Sequence, residues 1–502
     1  MILLLAALVS TPPQSADTIA VAGGRIAGVT VPSGVREFRD IPFAAPPVGP
    51  SRWQPPHPVV PWSGVRDASQ FGPRCMQERI YSDMEFRSPG TSEDCLTLNV
   101  WALARSAKPR PVLLYFFGGG YVAGDASEFR YDGESLARRG VIVVTANYRL
   151  GVFGFLSHPA LTRESPHHTS GNYGLLDQAA ALEWVRANIA RFGGDPRRIT
   201  IGGESAGSIS VTALMVSPLT RTRISGAIGE SGGLINPTFP PVSLDSAERY
   251  GFAFARDAGD STLHGLRALP AASLLIESRG HRFPIAIDGW FLEEFPESTL
   301  AAGRQARVPL LVGWNSEEGS WRQYFDSMPP TPENWLATLR QVFGDRADSA
   351  LQFFPGADSN QVKASATLLS GASFTALSTW KWAQMAARTG GHPVYVYLFT
   401  RPRPGATGAV HSAEIEYALG NLRTNHGYVW TADDSISSVV TEAYFGAFAW
   451  NGAPNAIGLP AWPALTPADS RLMVLNEHPH PEDASFAAAF RFLDNFLRSR
   501  TH

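Results

Sequence analysis

Residues 197–216 read RRITIGGESAGSISVTALMV. A short β-branched run ends in Gly202 and Gly203, and an apolar, helix-like stretch opens on the small residues Ala206 and Gly207, so Ser205 sits between a strand and a helix. The segment GESAG (203–207) fits G-x-S-x-G, the sharp strand-to-helix turn that lifts a serine hydroxyl above a sheet and admits only small neighbours. The competing reading is an ordinary serine in a small-residue turn. The strand before it and the helix after it favour a nucleophile.

Outward from this turn, further strands are expected at 111–117 (PVLLYFF), 141–148 (VIVVTANY), 224–231 (ISGAIGES), 308–314 (VPLLVGW) and 393–399 (PVYVYLF). Most are continuous apolar runs, as strands buried on both faces of a sheet read. Between them lie helical patterns such as YGLLDQAAALEWVRANIARFG (173–193), which stops at Gly-Gly. Alternation of strand and helix predicts an α/β fold with a large, mostly parallel sheet, whose ligand lies beyond the carboxyl ends of the strands.

The chain of 502 residues, 44% of them hydrophobic, is long enough for several domains. Gly and Pro are spread rather than clustered, and neither repeats nor low-complexity tracts occur, so one large catalytic domain over 17–502 is expected. A net charge of -3 gives no electrostatic footprint for nucleic acid or an anionic membrane. Small molecules are the expected ligands.

The N-terminus, MILLLAALVSTPPQSADTIA (1–20), carries an apolar run too short to span a bilayer. Residues 1–16 read as a signal peptide with a weak basic region, the alternative being a buried first strand. Only two cysteines occur, Cys75 and Cys95. In an exported protein they read as one disulfide closing a surface loop, and otherwise as two buried thiols. Without a histidine cluster they do not read as a structural zinc site.

A serine hydroxyl needs a base within hydrogen-bond reach and an acid that orients the base. For this turn type the chain order is Ser, then Asp or Glu, then His. Glu317 and Glu318 leave one predicted strand in NSEEGS (315–320), and His411 follows another in AVHSAEIEYALG (409–420), with His426 as its competitor. The oxyanion of a tetrahedral intermediate needs backbone N–H donors, and FFGGGYVAGD (116–125) places consecutive glycines at a strand end, complemented by the N–H of Ala206.

Together these residues resemble the type-B carboxylesterase family, the cholinesterase-like branch of the α/β-hydrolases. IPFAAPPVGPSRWQPP (41–56) is similar to its N-terminal signature and SEDCLTLNVW (92–101) to its second, and the likeness continues through 172–208, 315–320 and 409–420. The resemblance implies an α/β-hydrolase fold with helical cap loops and a triad of Ser205 as nucleophile, Glu318 as acid and His411 as base. It also implies Gly119, Gly120 and Ala206 as oxyanion donors, Glu204 as a neighbouring acid, Ser231 as a support behind the triad, and a Cys75–Cys95 disulfide.

Two departures stand out. Phe117 precedes the glycines where relatives commonly carry histidine or tyrosine; an aromatic there is expected to pack beneath the loop. The cysteine loop (76–94) contains no tryptophan, the residue with which cholinesterases bind quaternary ammonium, so choline esters are not expected as substrates.

The expected activity is hydrolysis of small to medium carboxylic esters through an acyl-enzyme, with no metal or organic cofactor, in a secreted or periplasmic monomer without stable membrane insertion. Alternatives are amide or carbamate hydrolysis, removal of polycarboxylic acyl groups as in fumonisin-degrading members of the family, and a non-catalytic recognition protein. Substrate pockets are expected from residues 232–392. Trp380 and Trp382 read as pocket walls or helix packing, and Arg322 as an anion contact or a solvated surface residue.

Overall fold

Runs that read as strands buried on both faces do line up side by side. The computed structural model describes residues 17–500 apart from 105–107, 261, 326 and 467–469; the segment read as a signal peptide, 1–16, lies outside the described residues. Its centre is a 13-stranded sheet. The strands are β1 (Asp17–Val21), β2 (Gly24–Thr30), β3 (Val35–Pro42), β4 (Val65–Asp67), β5 (Thr97–Leu103), β6 (Arg110–Phe116), β7 (Ile142–Ala146), β8 (Gly194–Glu204), β9 (Gly226–Glu230), β10 (Leu310–Asn315), β11 (Val394–Phe399), β12 (Leu472–Leu475) and β13 (His480–Glu482).

Across the sheet the order is β1, β2, β3, β5, β7, β6, β8, β9, β10, β11, β12, β13, with β4 beside β2. From β7 to β12 every neighbouring pair is parallel, whereas β1–β2–β3–β5–β7 and the last pair run antiparallel. The parallel centre is the part whose apolar runs announce it. Strands β1 to β3 carry charged residues instead, and these are neutralised inside the fold: Arg36 pairs with Asp17 at 2.9 Å and Arg39 pairs with the buried Glu37.

Helices cover both faces, as parallel strands require. The expected segment 173–193 forms α1 (Tyr173–Asn188) and then tightens into a 3-10 turn, Ile189–Phe192, before Gly193 with φ 90°. After Ser205 comes α2 (Ala206–Val216), buried along its whole length. Helices α3 (Ser359–Gly371) and α4 (Leu377–Thr389) are joined by a π-helical turn, Ala372–Ala376. The closing segment forms α5 (Ala487–Arg498), packed on the domain through Phe490, Leu493 and Phe496.

Trp382 is fully buried packing, and Trp380 is packed on one side while lining a cavity with Lys381 and Phe490. Trp314 and Phe486 meet the ring of Trp380 edge-on. Trp382 lies over β9 so closely that a Cβ on Gly229 would come within 2.3 Å of it, which is why a glycine stands there. Cys75 and Cys95 are disulfide-bonded, which resolves the alternative of two buried thiols. Among the described residues no helix is long and apolar enough to cross a membrane.

Candidate active site

Strand ends bring the candidate residues together. β8 delivers Ser205, β6 the glycines, β9 Ser231 and β10 the acid loop, all at the carboxyl edge of the parallel centre. The loops after β10 and β11 are fastened to each other by a parallel bridge between Glu317 and Val410, with the Glu317 N–H donating to Ala409 O at 2.8 Å. That bridge sets the next residue of each loop, Glu318 and His411, side by side.

Ser205 adopts φ 55° and ψ −119°, a conformation held only because its surroundings impose it. Its N–H donates to Glu230 O at 2.8 Å. The flanking glycines are obligatory by contact. A Cβ on Gly203 would lie 2.6 Å from the Gly207 backbone, and one on Gly207 would lie 2.0 Å from Phe116 O.

His411 Nε2 lies 3.0 Å from Ser205 Oγ, and Nδ1 lies 2.6 Å from Glu318 Oε2. The other Glu318 oxygen accepts from Asn315 N–H at 2.7 Å and from Ser231 Oγ at 2.5 Å. Burial raises the Glu318 pKa, but the neighbouring imidazole and these donors outweigh it and hold the group below the ordinary value. Glu317 stays outside this set, its carboxylate packed against Gly408. His426 is exposed in a turn and makes none of these hydrogen bonds among the described residues.

Glu204 is buried with Oε1 3.2 Å from His411 Nε2. Burial pushes its carboxyl up to about 8, against the pull of the imidazole. For His411 burial works downward, but Glu204 and then Glu318 overcome it and raise the imidazole to about 9.

Glu414 and Asn315 form a layer that the sequence did not point to. Asn315 Nδ2 donates to Glu414 Oε2 at 2.7 Å, and Glu414 Oε1 lies 3.2 Å from Ser231 Oγ. Burial, and then the charge of Glu318, raise the Glu414 pKa. A protonated Glu414 can donate to Ser231, whose own hydroxyl then points at Glu318. The only available signal was the position of Glu414 three residues after His411, and it is weak.

The glycine turn follows the expectation for Phe117. Its ring stacks on Tyr148 at 4.3 Å, and the Tyr148 hydroxyl donates to Phe117 O at 2.7 Å. Gly119 and Gly120 have φ of 109° and 63°. Ala206 is the first residue of α2, where N–H groups lack partners within the helix. Exposed apolar side chains lie around Ser205 and His411, with the Tyr81 hydroxyl beside Gly120: Phe374 in the π-helical turn meets the His411 ring edge-on at 4.8 Å, Phe239 meets Tyr121, and Val122 and Val410 flank Gly120 and His411.

Arg322 is exposed, with its guanidinium 4.5 Å over the Trp321 ring. Elsewhere, Glu37, Asp132 and Glu134 bring carboxylate oxygens within 4.8 Å of one another. Arg39 and Arg87 already pair with Glu37 and Asp132, so positive charge fills that cluster.

Residues 15–493 match the model of the carboxylesterase family. The chain is 37% identical over 456 residues to a fumonisin B1 esterase of Sphingopyxis macrogoltabida, covering 86% of this chain and 81% of that protein. It is 34% identical over 472 residues to the para-nitrobenzyl esterase of Bacillus subtilis, covering 90% and 93%. To a human cocaine esterase it is 33% identical over 507 residues, covering 94% and 89%. A family model that spans the chain, relatives that are esterases along most of its length and the parallel α/β sheet lead to one conclusion: the chain belongs to the carboxylesterase family, and it is an α/β-hydrolase enzyme that hydrolyses carboxylic esters.

Proposed function

We propose that Ser205, His411 and Glu318 carry out the hydrolysis through a covalent acyl-enzyme. The observation that carries the reading is the continuous relay from Ser205 Oγ to His411 Nε2 at 3.0 Å and from Nδ1 to Glu318 Oε2 at 2.6 Å. His411 takes the serine proton as Oγ attacks the ester carbonyl, and Glu318 orients the imidazole and stabilises its cation. The N–H groups of Gly119, Gly120 and Ala206 meet the oxyanion, each worth about 3 kcal/mol in the transition state. The alcohol leaves with the proton from His411, and water then releases the acid by the same route.

Neutral esters of small to medium size are the proposed substrates, supported by the apolar rim of Val122, Phe239, Phe374 and Val410. The disulfide suits an oxidising compartment and supports a secreted or periplasmic location. A single catalytic domain over 17–502, acting as a monomer, completes the reading.

Hydrolysis of aryl esters varied in acyl length and acyl charge, with Ser205→Ala as the blank, tests the proposal. Turnover of neutral short or medium chains that vanishes in the variant supports it. Retention of most of the rate in Ser205→Ala refutes it. Similarity to a fumonisin B1 esterase favours a second reading, in which a polycarboxylic acyl group is taken. Arg322 and Lys363, both beside Trp321, are the cations to replace if carboxylated esters are preferred. Equal loss on charged and neutral esters in Arg322→Ala would reject an acyl contact for that residue.

A further inference from the structure

We infer that Gln77 is a positioning residue for the oxyanion turn, anchored in place by the Cys75–Cys95 disulfide. The inference rests on the reading of Gly119 and Gly120 as oxyanion donors. A turn that begins with Gly118, Gly119 and Gly120 has little conformational preference of its own, so its geometry must come from outside contacts.

The turn folds back on itself. Gly119 O accepts the N–H groups of Val122 and Ala123, both at 3.1 Å, and a Cβ on Gly119 would stand 2.2 Å from Ala123 O. Its entry is fixed by the stacking of Phe117 on Tyr148, and its middle by the Gly151 N–H, which donates to Tyr121 O at 2.7 Å. Gln77 holds the exit. Its Oε1 accepts the Gly124 N–H at 2.9 Å, and its Nε2 donates to Gly124 O at 2.7 Å and to Cys75 O at 3.1 Å.

Every hydrogen-bonding group of this buried amide is engaged except one acceptor lone pair, so its orientation is fixed. Gly124 in turn lies against the glycines. At φ 128° a Cβ placed on Gly124 would stand 2.2 Å from the Phe117 ring and 2.6 Å from Gly118 O, so the Gly124 backbone packs directly against Phe117 and Gly118. Gln77 stands two residues after Cys75, and the disulfide fixes that end of its loop. The same loop lays Met84 and Tyr81 beside Gly119 and Gly120.

The test compares wild type with Gln77→Ala and with Gln77→Glu, which keeps the shape and the acceptor but loses both donated bonds. In each variant kcat is expected to fall by about 10- to 100-fold while KM changes less than about threefold, because the donors act on the transition state. Affinity for a trifluoromethyl ketone, which binds as a tetrahedral oxyanion adduct, is expected to fall by the same factor as kcat/KM. Thermal melting identifies which variants are folded. If Gln77→Glu melts like wild type and keeps kcat and ketone affinity within about twofold, the inference is overturned. Wild-type enzyme reduced to two titratable thiols, still folded, is expected to lose kcat in the same way; unchanged kcat overturns the part assigned to the disulfide. Failure of wild type to be labelled at Ser205 by a fluorophosphonate would instead sink the catalytic reading itself, whatever the Gln77 variants do.

Discussion

Replacing Glu204 by Gln should move the pH dependence of the reaction toward acid. The change keeps the side chain's shape in its buried slot and removes a negative charge 3.2 Å from His411 Nε2. At that separation two unit charges interact by about 5 kcal/mol with an effective dielectric of about 20, equivalent to almost 4 pH units as an upper bound. Glu204, itself raised to about 8 by burial, is partly protonated over the same range, which reduces the effect. A shift of about 1–2 units is expected. The direction follows from the base. In the proposed mechanism His411 must be neutral to accept the Ser205 proton, and its pKa is raised to about 9 because Glu204 and Glu318 outweigh the lowering by burial. Wild-type kcat/KM is therefore expected to rise with pH, and loss of Glu204 to lower the imidazole pKa and move the rising limb to lower pH. The assay is kcat/KM for an uncharged aryl ester from about pH 5 to pH 10. A rising limb at the wild-type position, or at higher pH, would refute the assignment of Glu204 as the group that raises His411.

Three further outcomes are expected. Gly207→Ala forces a Cβ to within 2.0 Å of Phe116 O, a backbone atom that cannot give way, so thermal melting should show a loss of about 3 kcal/mol together with most of the activity. Ser231→Ala removes the 2.5 Å donor to Glu318, and steady-state kinetics should show kcat down by about tenfold with KM little changed. Replacing both Cys75 and Cys95 by Ala frees a loop closed across a separation of 20, and urea unfolding should report a loss of about 3 kcal/mol.

The parallel centre of the fold was legible because its strands are apolar on both faces. The predicted runs 308–314 and 393–399 became Leu310–Asn315 and Val394–Phe399. The antiparallel flank was not, since VREFRDIP in β3 reads as a charged segment until Arg36 and Glu37 are seen to meet Asp17 and Arg39 inside the fold. At the site, the place of Ser205 between a strand and a helix was legible from a turn whose steric demands restrict its neighbours. The choice of Glu318 over Glu317 came from resemblance, and its physical reason is the Glu317–Val410 bridge, a long-range pairing that local sequence does not express. Asn315, Glu414 and Gln77 stayed hidden for the same reason. Each works through partners far away in the chain, as Gln77 does with Gly124.

The central claim is that Ser205 is a nucleophile activated by His411. Its most direct test is reaction of the native enzyme with a fluorophosphonate, followed by peptide mapping of the adduct by mass spectrometry. The account predicts one adduct per chain, on Ser205, formed at a rate that collapses in His411→Ala. An adduct on another residue, or equal labelling rates in the two proteins, would contradict it.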